Sequence, residues 1–286
     1  MTKKPVLTVL DVLQSTAAYF KKRRIDSPRL NTEHLLAHVL GRKRLDLYLE
    51  FERELTESEL VQLRDLVKRR GEGEPLQHLL GTVEFSGHVF LCDSRAMVPR
   101  PETEQLVELL IADYGLRIAD SKIADIGTGS GVIALTLANE FPEAKISGTD
   151  ISEDALALAR ENAERLGLSE RVHFVKSYLL QNVDGAFDLI VANLPYIAAR
   201  DRNILSREVL HDPEGALFSG EHGDELLREL IEQAPARLRP SGRLALEVGL
   251  GQSESLFSTL TGKNYRDICL KNDYSGRPRF LFARYG

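Results

Sequence analysis

Beyond Ser121 the chain alternates short apolar runs with segments of helical periodicity, and this alternation restricts the fold more than any other feature. Residues 122–126 read as a strand, 131–140 as a helix, 144–149 as a strand, and 152–166 as a helix capped by Ser152 and stopped by Gly167. Three more apolar strands follow at 172–175, 187–192 and 243–248. Strands joined through helices must run parallel with right-handed crossovers, so a sheet covered on both faces is expected. The last two runs, 265–270 and 280–283, are joined through Ser275-Gly276 instead of a helix, which predicts an antiparallel pair at one end.

The first 70 residues have another character. Apolar residues recur at helical spacing around Val9 to Phe20, Leu35 to Leu40 and Leu60 to Val67, with charges between them. Ser27-Pro28 or Asn31 can open the second helix, and Thr56 with Glu59 forms a capping-box pattern for the third. Their apolar stripes must pack on each other, which predicts a small helical bundle. Residues 71–81 are polar and glycine-rich, and 82–92 read as a hairpin around Ser86-Gly87. Pro99 and Pro101 then hold the backbone extended before a helix opens at about Glu102. A chain of 286 residues accommodates this plan as a helical domain over residues 1–75, a hairpin linker over 76–97 and a main α/β domain over 98–286.

Charge narrows the partners. Residues 1–80 carry 15 Lys and Arg against 12 Asp and Glu, whereas the remainder carries 22 against 31. An acidic main domain is a poor match for a phosphate backbone, so no direct nucleic-acid contact is expected. Cys92 and Cys269 stand alone, which leaves no CxxC framework and fits a reducing, cytoplasmic compartment. Pro5, Thr8, Asp11 and Gln14 interrupt the apolar start before a signal-peptide core forms, and no stretch reaches membrane-spanning length, so no membrane role is expected. The seven histidines are scattered, and no metal site is expected.

The run Asp125-Ile126-Gly127-Thr128-Gly129-Ser130-Gly131 lies where the first strand of the sheet meets its first helix. Glycines there let the backbone turn tightly and approach a ligand at the carboxyl end of a strand. An isolated Gly-x-Gly is more often a plain turn; three glycines at alternate positions favour a cofactor loop. A dinucleotide fingerprint would need glycine where Val132 stands, which disfavours nicotinamide. Asp150 ends the second strand, where a carboxylate can accept from both hydroxyls of a ribose. Together these features resemble the class I S-adenosylmethionine methyltransferase pattern.

Asn193-Leu194-Pro195-Tyr196 directly follows the apolar strand at 187–192. That strand delivers an asparagine to the sheet edge, and Pro195 stiffens the turn. An amide or exocyclic amine nitrogen is a poor nucleophile carrying two N–H groups. The Asn193 side-chain oxygen and the Leu194 backbone carbonyl can accept from both, holding the nitrogen in line with a methyl donor. Tyr196 can stack on the planar group or wall it off. These four residues are the expected catalytic set; the bland alternative is an asparagine capping a turn and a tyrosine covering the core.

Further segments carry a more specific resemblance. Glu74-Pro75-Leu76-Gln77, Glu84-Phe85 and Val98-Pro99-Arg100-Pro101-Glu102-Thr103-Glu104 precede the sheet. Leu246-Glu247-Val248-Gly249-Leu250-Gly251-Gln252 and Asp273-Tyr274-Ser275-Gly276 with Arg279-Phe280 close the chain. Over nearly its whole length the chain resembles the PrmC/HemK family, the release-factor glutamine N5-methyltransferases. The resemblance implies a Rossmann-like seven-stranded sheet with the last strand antiparallel, behind a helical domain that docks class-1 peptide chain release factors. It implies S-adenosylmethionine as cofactor and S-adenosylhomocysteine as product. The cofactor would lie on Asp125, Gly127, Thr128, Gly129, Ser130 and Gly131, with its ribose at Asp150, its adenine near Tyr178 and its reacting end at Asn193. The substrate glutamine would meet Asn193, Leu194, Pro195 and Tyr196, with Arg100 and Glu102 beside them. The family usually reads Asn-Pro-Pro-Tyr, and Leu194 replaces the first proline. Because Asn-Leu-Pro-Tyr also resembles ribosomal RNA adenine dimethylases, an adenine-N6 methyltransferase acting on RNA or DNA is the alternative. A noncatalytic cofactor-binding module is a third reading, which intact Asp150 and Asn193 disfavour.

Overall fold

A computed structural model describes residues 6–113 and 121–286. The chain divides into two compact units, one of residues 1–81 with 206–211, the other of residues 82–205 with 212–286.

The first unit is built by caps and apolar stripes. Helix α1 (Val9–Lys22) begins at a reciprocal capping box between Thr8 and Asp11 and buries Val9, Val12, Leu13 and Phe20. Helix α2 (Pro28–Leu40) takes Pro28 as its first residue, where the missing N–H costs nothing. Asn31 therefore lies inside that helix, and its Nδ2 donates to the carbonyls of Asp26 and Ser27. Helix α3 (Glu57–Glu72) opens on the capping box of Thr56 and Glu59 that its sequence predicts. Helix α4 (Leu76–Leu80) completes the unit and buries Leu79 in the shared core. Arg70 is buried here, donating to Asn31 Oδ1 at 2.6 Å, to the Glu74 carbonyl at 2.9 Å and to Glu208 Oε2 at 2.7 Å. Those three acceptors satisfy a charge that would otherwise be costly to bury.

The second unit opens with a hairpin of β1 (Thr82–Phe85) and β2 (His88–Leu91), turned by Ser86 and Gly87 at positive φ. Phe85 and Phe90 meet edge to face at 6.1 Å and are buried in the same core as the sheet. Helix α5 (Pro101–Asp113) follows the extended Pro99 segment. The alternating region forms β3 (Lys122–Ile126), α6 (Val132–Glu140), β4 (Lys145–Asp150), α7 (Glu153–Arg165), β5 (Val172–Lys176) and β6 (Phe187–Ala192). Next come α8 (Glu214–Leu217), α9 (Glu225–Gln233), β7 (Leu238–Glu247), α10 (Ser253–Thr261), β8 (Tyr265–Asn272) and β9 (Pro278–Tyr285).

These strands make a seven-stranded sheet ordered β5-β4-β3-β6-β7-β9-β8. The pairs from β5 to β7 are parallel, and β9 runs antiparallel to both β7 and β8. Two apolar cores cover its faces, one containing Ile126, Ile190 and Leu246 and the other Ile123, Val191 and Phe280. The order reverses on either side of β3, so β3, β4 and β6 end together where an open sheet forms a ligand crevice.

Candidate active site

The crevice is a cavity of about 450 Å³ beyond the ends of β3, β4 and β6. Gly127, Thr128, Gly129, Ser130, Asp150, Tyr178, Asn193, Leu194 and Pro195 line it. Thus most of the residues singled out in the sequence, though spread over 69 positions of chain, share one wall-to-wall space.

The glycine loop takes its shape from sterics. Gly127 has φ 73°, and a Cβ there would stand 2.7 Å from Leu194 Cδ2. Leu194 is buried, so the bare α-carbon is what lets the turn after β6 lie against the turn after β3. Gly131, at φ 84°, approaches Ala159 of α7 and Leu135 closely and lies outside the cavity wall. Its role there is packing of helix against helix.

Two acids brace this loop differently. Asp125 is fully buried behind it, with Oδ2 accepting from Thr128 Oγ1 at 2.6 Å and from Ala134 N at 3.1 Å. Burial pushes its carboxyl up to about 7 against the pull of those donors. Asp150 faces the cavity and accepts from the Gly129 and Ser152 amides, each at 2.9 Å. Burial also raises its pKa, with backbone donors opposing the shift. With one of these amides on each oxygen, Asp150 keeps acceptor capacity of the kind that the two hydroxyls of a ribose would donate to.

Tyr178 lines the cavity, and its hydroxyl donates to Glu229 Oε2 at 2.6 Å, a bond that raises the phenol's pKa. Leu179 beside it has φ 47°, and with Leu226 it supplies apolar wall. Ala96, Met97 and Pro99, from the segment leading into α5, face the same space.

Asn193 is held by Thr103, which lines the same cavity. Its Nδ2 donates to Thr103 Oγ1 at 2.8 Å, and Thr103 Oγ1 donates to Glu247 Oε2 at 2.8 Å. Asn193 Oδ1 is buried and finds no hydrogen-bond partner among the described residues. Leaving such an acceptor unsatisfied costs about 1–3 kcal/mol, so an added N–H donor that reaches it is favoured. Tyr196 stands outside the cavity wall, with its carbonyl accepting from Gln252 Nε2 at 2.9 Å. The Gln252 Oε1 in turn accepts from Gly249 N at 2.8 Å. Arg100 and Glu102 also lie outside the wall: Arg100 pairs with buried Asp212, whose other oxygen accepts from Val98 N at 3.0 Å.

The sequence gives no role to Thr103, Glu247, Gln252 or Arg279 when read alone, yet these residues hold the Asn193-to-Tyr196 turn in place. Their signal was present in the segments around Pro101-Glu102-Thr103, Glu247 to Gln252 and Arg279, whose physical purpose appears only once they converge.

Residues 11–81 match the family described as the PrmC N-terminal domain, and residues 101–221 match the methyltransferase small domain. A release factor glutamine methyltransferase of Chlorobaculum tepidum is 40% identical, with 98% of each chain covered. One from Geobacter sulfurreducens is 38% identical, with 100% of each covered. Among solved structures, the hMettl16 catalytic domain in complex with a MAT2A 3′UTR hairpin has a TM-score of 0.55 at 15% identity, over 81% of this chain and 83% of that one. The Thermus thermophilus 16S rRNA N2 G1207 methyltransferase, in complex with AdoMet and guanosine, has a TM-score of 0.53 at 20% identity, over 72% and 50%. At these identities the structural likeness shows the fold alone.

A seven-stranded sheet in this order, with one reversed strand and a glycine-lined crevice at the switch point, together with the methyltransferase domain match and the methyltransferase relatives, defines a class I S-adenosylmethionine-dependent methyltransferase. Within that class, the full-length identity places the chain in the release factor glutamine methyltransferase family.

Proposed function

We propose that this chain is a cytoplasmic enzyme that methylates the side-chain amide nitrogen of the glutamine in the Gly-Gly-Gln motif of class-1 peptide chain release factors. One observation carries the reading: a buried carboxamide oxygen, Asn193 Oδ1, left without a partner beside a glycine loop and a strand-end carboxylate. An amide NH2 supplies the donor that oxygen lacks.

The residues fit S-adenosylmethionine. Asp150 offers acceptors for the ribose, Tyr178 and Leu226 offer apolar wall to an adenine, and Gly129 leaves its flank open to backbone approach. Bound there, the cofactor would supply an electrophilic methyl on a sulfonium, its C–S bond breaking as the methyl leaves and a neutral thioether remaining. Asn193 Oδ1 accepts one N–H of the glutamine amide and the Leu194 carbonyl the other. Two fixed acceptors restrain rotation about the C–N bond, point the nitrogen lone pair along one line, and favour the positive charge that grows on nitrogen as the N–C bond forms. The nitrogen then releases a proton to solvent as the neutral methylamide. The helical first unit, residues 1–81, serves in docking the release factor, and Arg100 and Glu102 contribute through the segment that enters α5.

The test is methyl transfer from labelled S-adenosylmethionine to a class-1 release factor and to its Gln→Asn variant in Gly-Gly-Gln. Label in the first and none in the second supports the reading. Label in ribosomal RNA with none in the release factor would replace it with the adenine alternative.

A further inference from the structure

We infer that Thr103 and Glu247 are positioning residues that fix which end of the Asn193 carboxamide faces the cavity, and that the relay between them has a direction set by the Glu247 carboxylate. The inference rests on the glutamine-amide reading and adds to it the part of the protein that makes Asn193 an acceptor.

A carboxamide is nearly symmetric in shape, so packing alone does not choose between its oxygen and its nitrogen. The choice must come from a hydrogen-bond partner with fixed polarity. Asn193 meets Thr103 Oγ1 at 2.8 Å, and Thr103 Oγ1 meets Glu247 Oε2 at 2.8 Å. A hydroxyl carries one proton. While Glu247 is ionised it can only accept, so that proton is committed to Glu247. The Thr103 oxygen then has only lone pairs to offer, and Asn193 must present its NH2 to it. Oδ1 is thereby turned the other way, where it is buried and unpartnered.

The surroundings of Glu247 pull its ionisation, and so the direction of the relay, both ways. Glu247 is fully buried on β7. From β9, Arg279 Nη2 donates to Glu247 Oε1 at 3.3 Å, and from the turn after β6, the Tyr196 hydroxyl lies 3.5 Å from the same oxygen. From α5 come Thr103 itself and the like charge of Glu102, which opposes ionisation. Burial pushes the Glu247 carboxyl up to about 7, with Arg279 pulling it down. A protonated Glu247 can donate to Thr103. Thr103 is then free to donate to Asn193, and the carboxamide that turns to accept it places its NH2 in the cavity. Two N–H groups of Asn193 would then face the N–H groups of the substrate amide, a repulsive pairing.

The test compares Thr103→Ser, Thr103→Val and Glu247→Gln with the natural protein, using the release factor as substrate and S-adenosylmethionine binding as an independent measure of folding. Thr103→Ser keeps the relay and should stay within about threefold of the natural kcat. Thr103→Val removes it and should lower kcat roughly a hundredfold with cofactor affinity within about twofold, the scale of losing one preorganised partner. In the natural protein kcat should fall as pH drops through the ionisation of Glu247, and in Glu247→Gln the low kcat should no longer vary with pH over that range. Full activity of Thr103→Val, or the same acidic limb in Glu247→Gln, would overturn the inference. If Thr103→Val loses cofactor affinity, the pH profile of Glu247→Gln alone decides. Absence of release-factor methylation by the natural protein would instead remove the reading on which the inference rests.

Discussion

The guanidinium of Arg279 lies 4.8 Å from the centroid of the Tyr196 ring and donates to the Tyr196 hydroxyl at 2.7 Å. Its other nitrogen donates to the Val248 carbonyl at 2.7 Å. One planar cation thus holds the tyrosine of the Asn193-to-Tyr196 turn from above and from its tip, while neutralising buried Glu247. Burial and the Glu247 charge raise the Tyr196 phenol, so it remains protonated across the physiological range.

Arg279→Met should therefore destabilise the fold by about 3 kcal/mol or more at pH 8, because it strands a buried carboxylate. The loss should shrink at pH 6, where Glu247 takes up a proton. Arg279→Lys should recover part of it, since an ammonium keeps the charge without spanning both acceptors. Urea unfolding at the two pH values checks this; an equal loss at both would separate Arg279 from the Glu247 charge.

Asp150→Ala should act on cofactor binding. The side chain accepts from the Gly129 and Ser152 amides and lines the cavity. Loss of charge-assisted bonds of about 1.5–3 kcal/mol corresponds to a Kd for S-adenosylmethionine raised about tenfold or more. Calorimetric titration gives the answer, and an unchanged Kd would place the ribose elsewhere.

Asp125 should impose a pH dependence of its own. Its folded carboxyl titrates near 7 against 3.8 for an unburied one, so between those values the folded chain holds a proton that the unfolded chain has released. Stability from this group is therefore greatest below about 4 and declines as pH rises to 7. In Asp125→Asn that decline is removed, so the variant's stability relative to the natural protein should be higher at pH 8 than at pH 5. Chemical unfolding at both pH values measures the difference; a gap independent of pH would contradict the shift.

Periodicity placed the sheet well because burial on both faces leaves long apolar runs at β3 and β6, which match their predicted spans. It was less informative at β7. The apolar run predicts a strand from Arg243, but β7 starts at Leu238; Arg239-Pro240-Ser241-Gly242 carries the residues of a loop, and the pairing with β6 shifts between Phe187 and Leu189. The cavity-lining glycines, Asp150 and Asn193 were legible because each sits at a strand end, a local feature. What orients Asn193 was not. Thr103 and Glu247 are 144 residues apart in the chain, and Tyr196 and Arg279 are 83 apart. No local pattern encodes such pairs; they exist only after β6, β7, β9 and α5 have converged.

Mass analysis of the Gly-Gly-Gln peptide from a treated release factor tests most directly whether Asn193 Oδ1 holds a glutamine amide for methylation. With the natural protein the peptide should gain one methyl, assigned by fragmentation to the glutamine side chain. With Asn193→Ala the gain should fall about a hundredfold or more while S-adenosylmethionine still binds. An unmodified peptide with the natural protein, or equal modification by Asn193→Ala, would contradict the account.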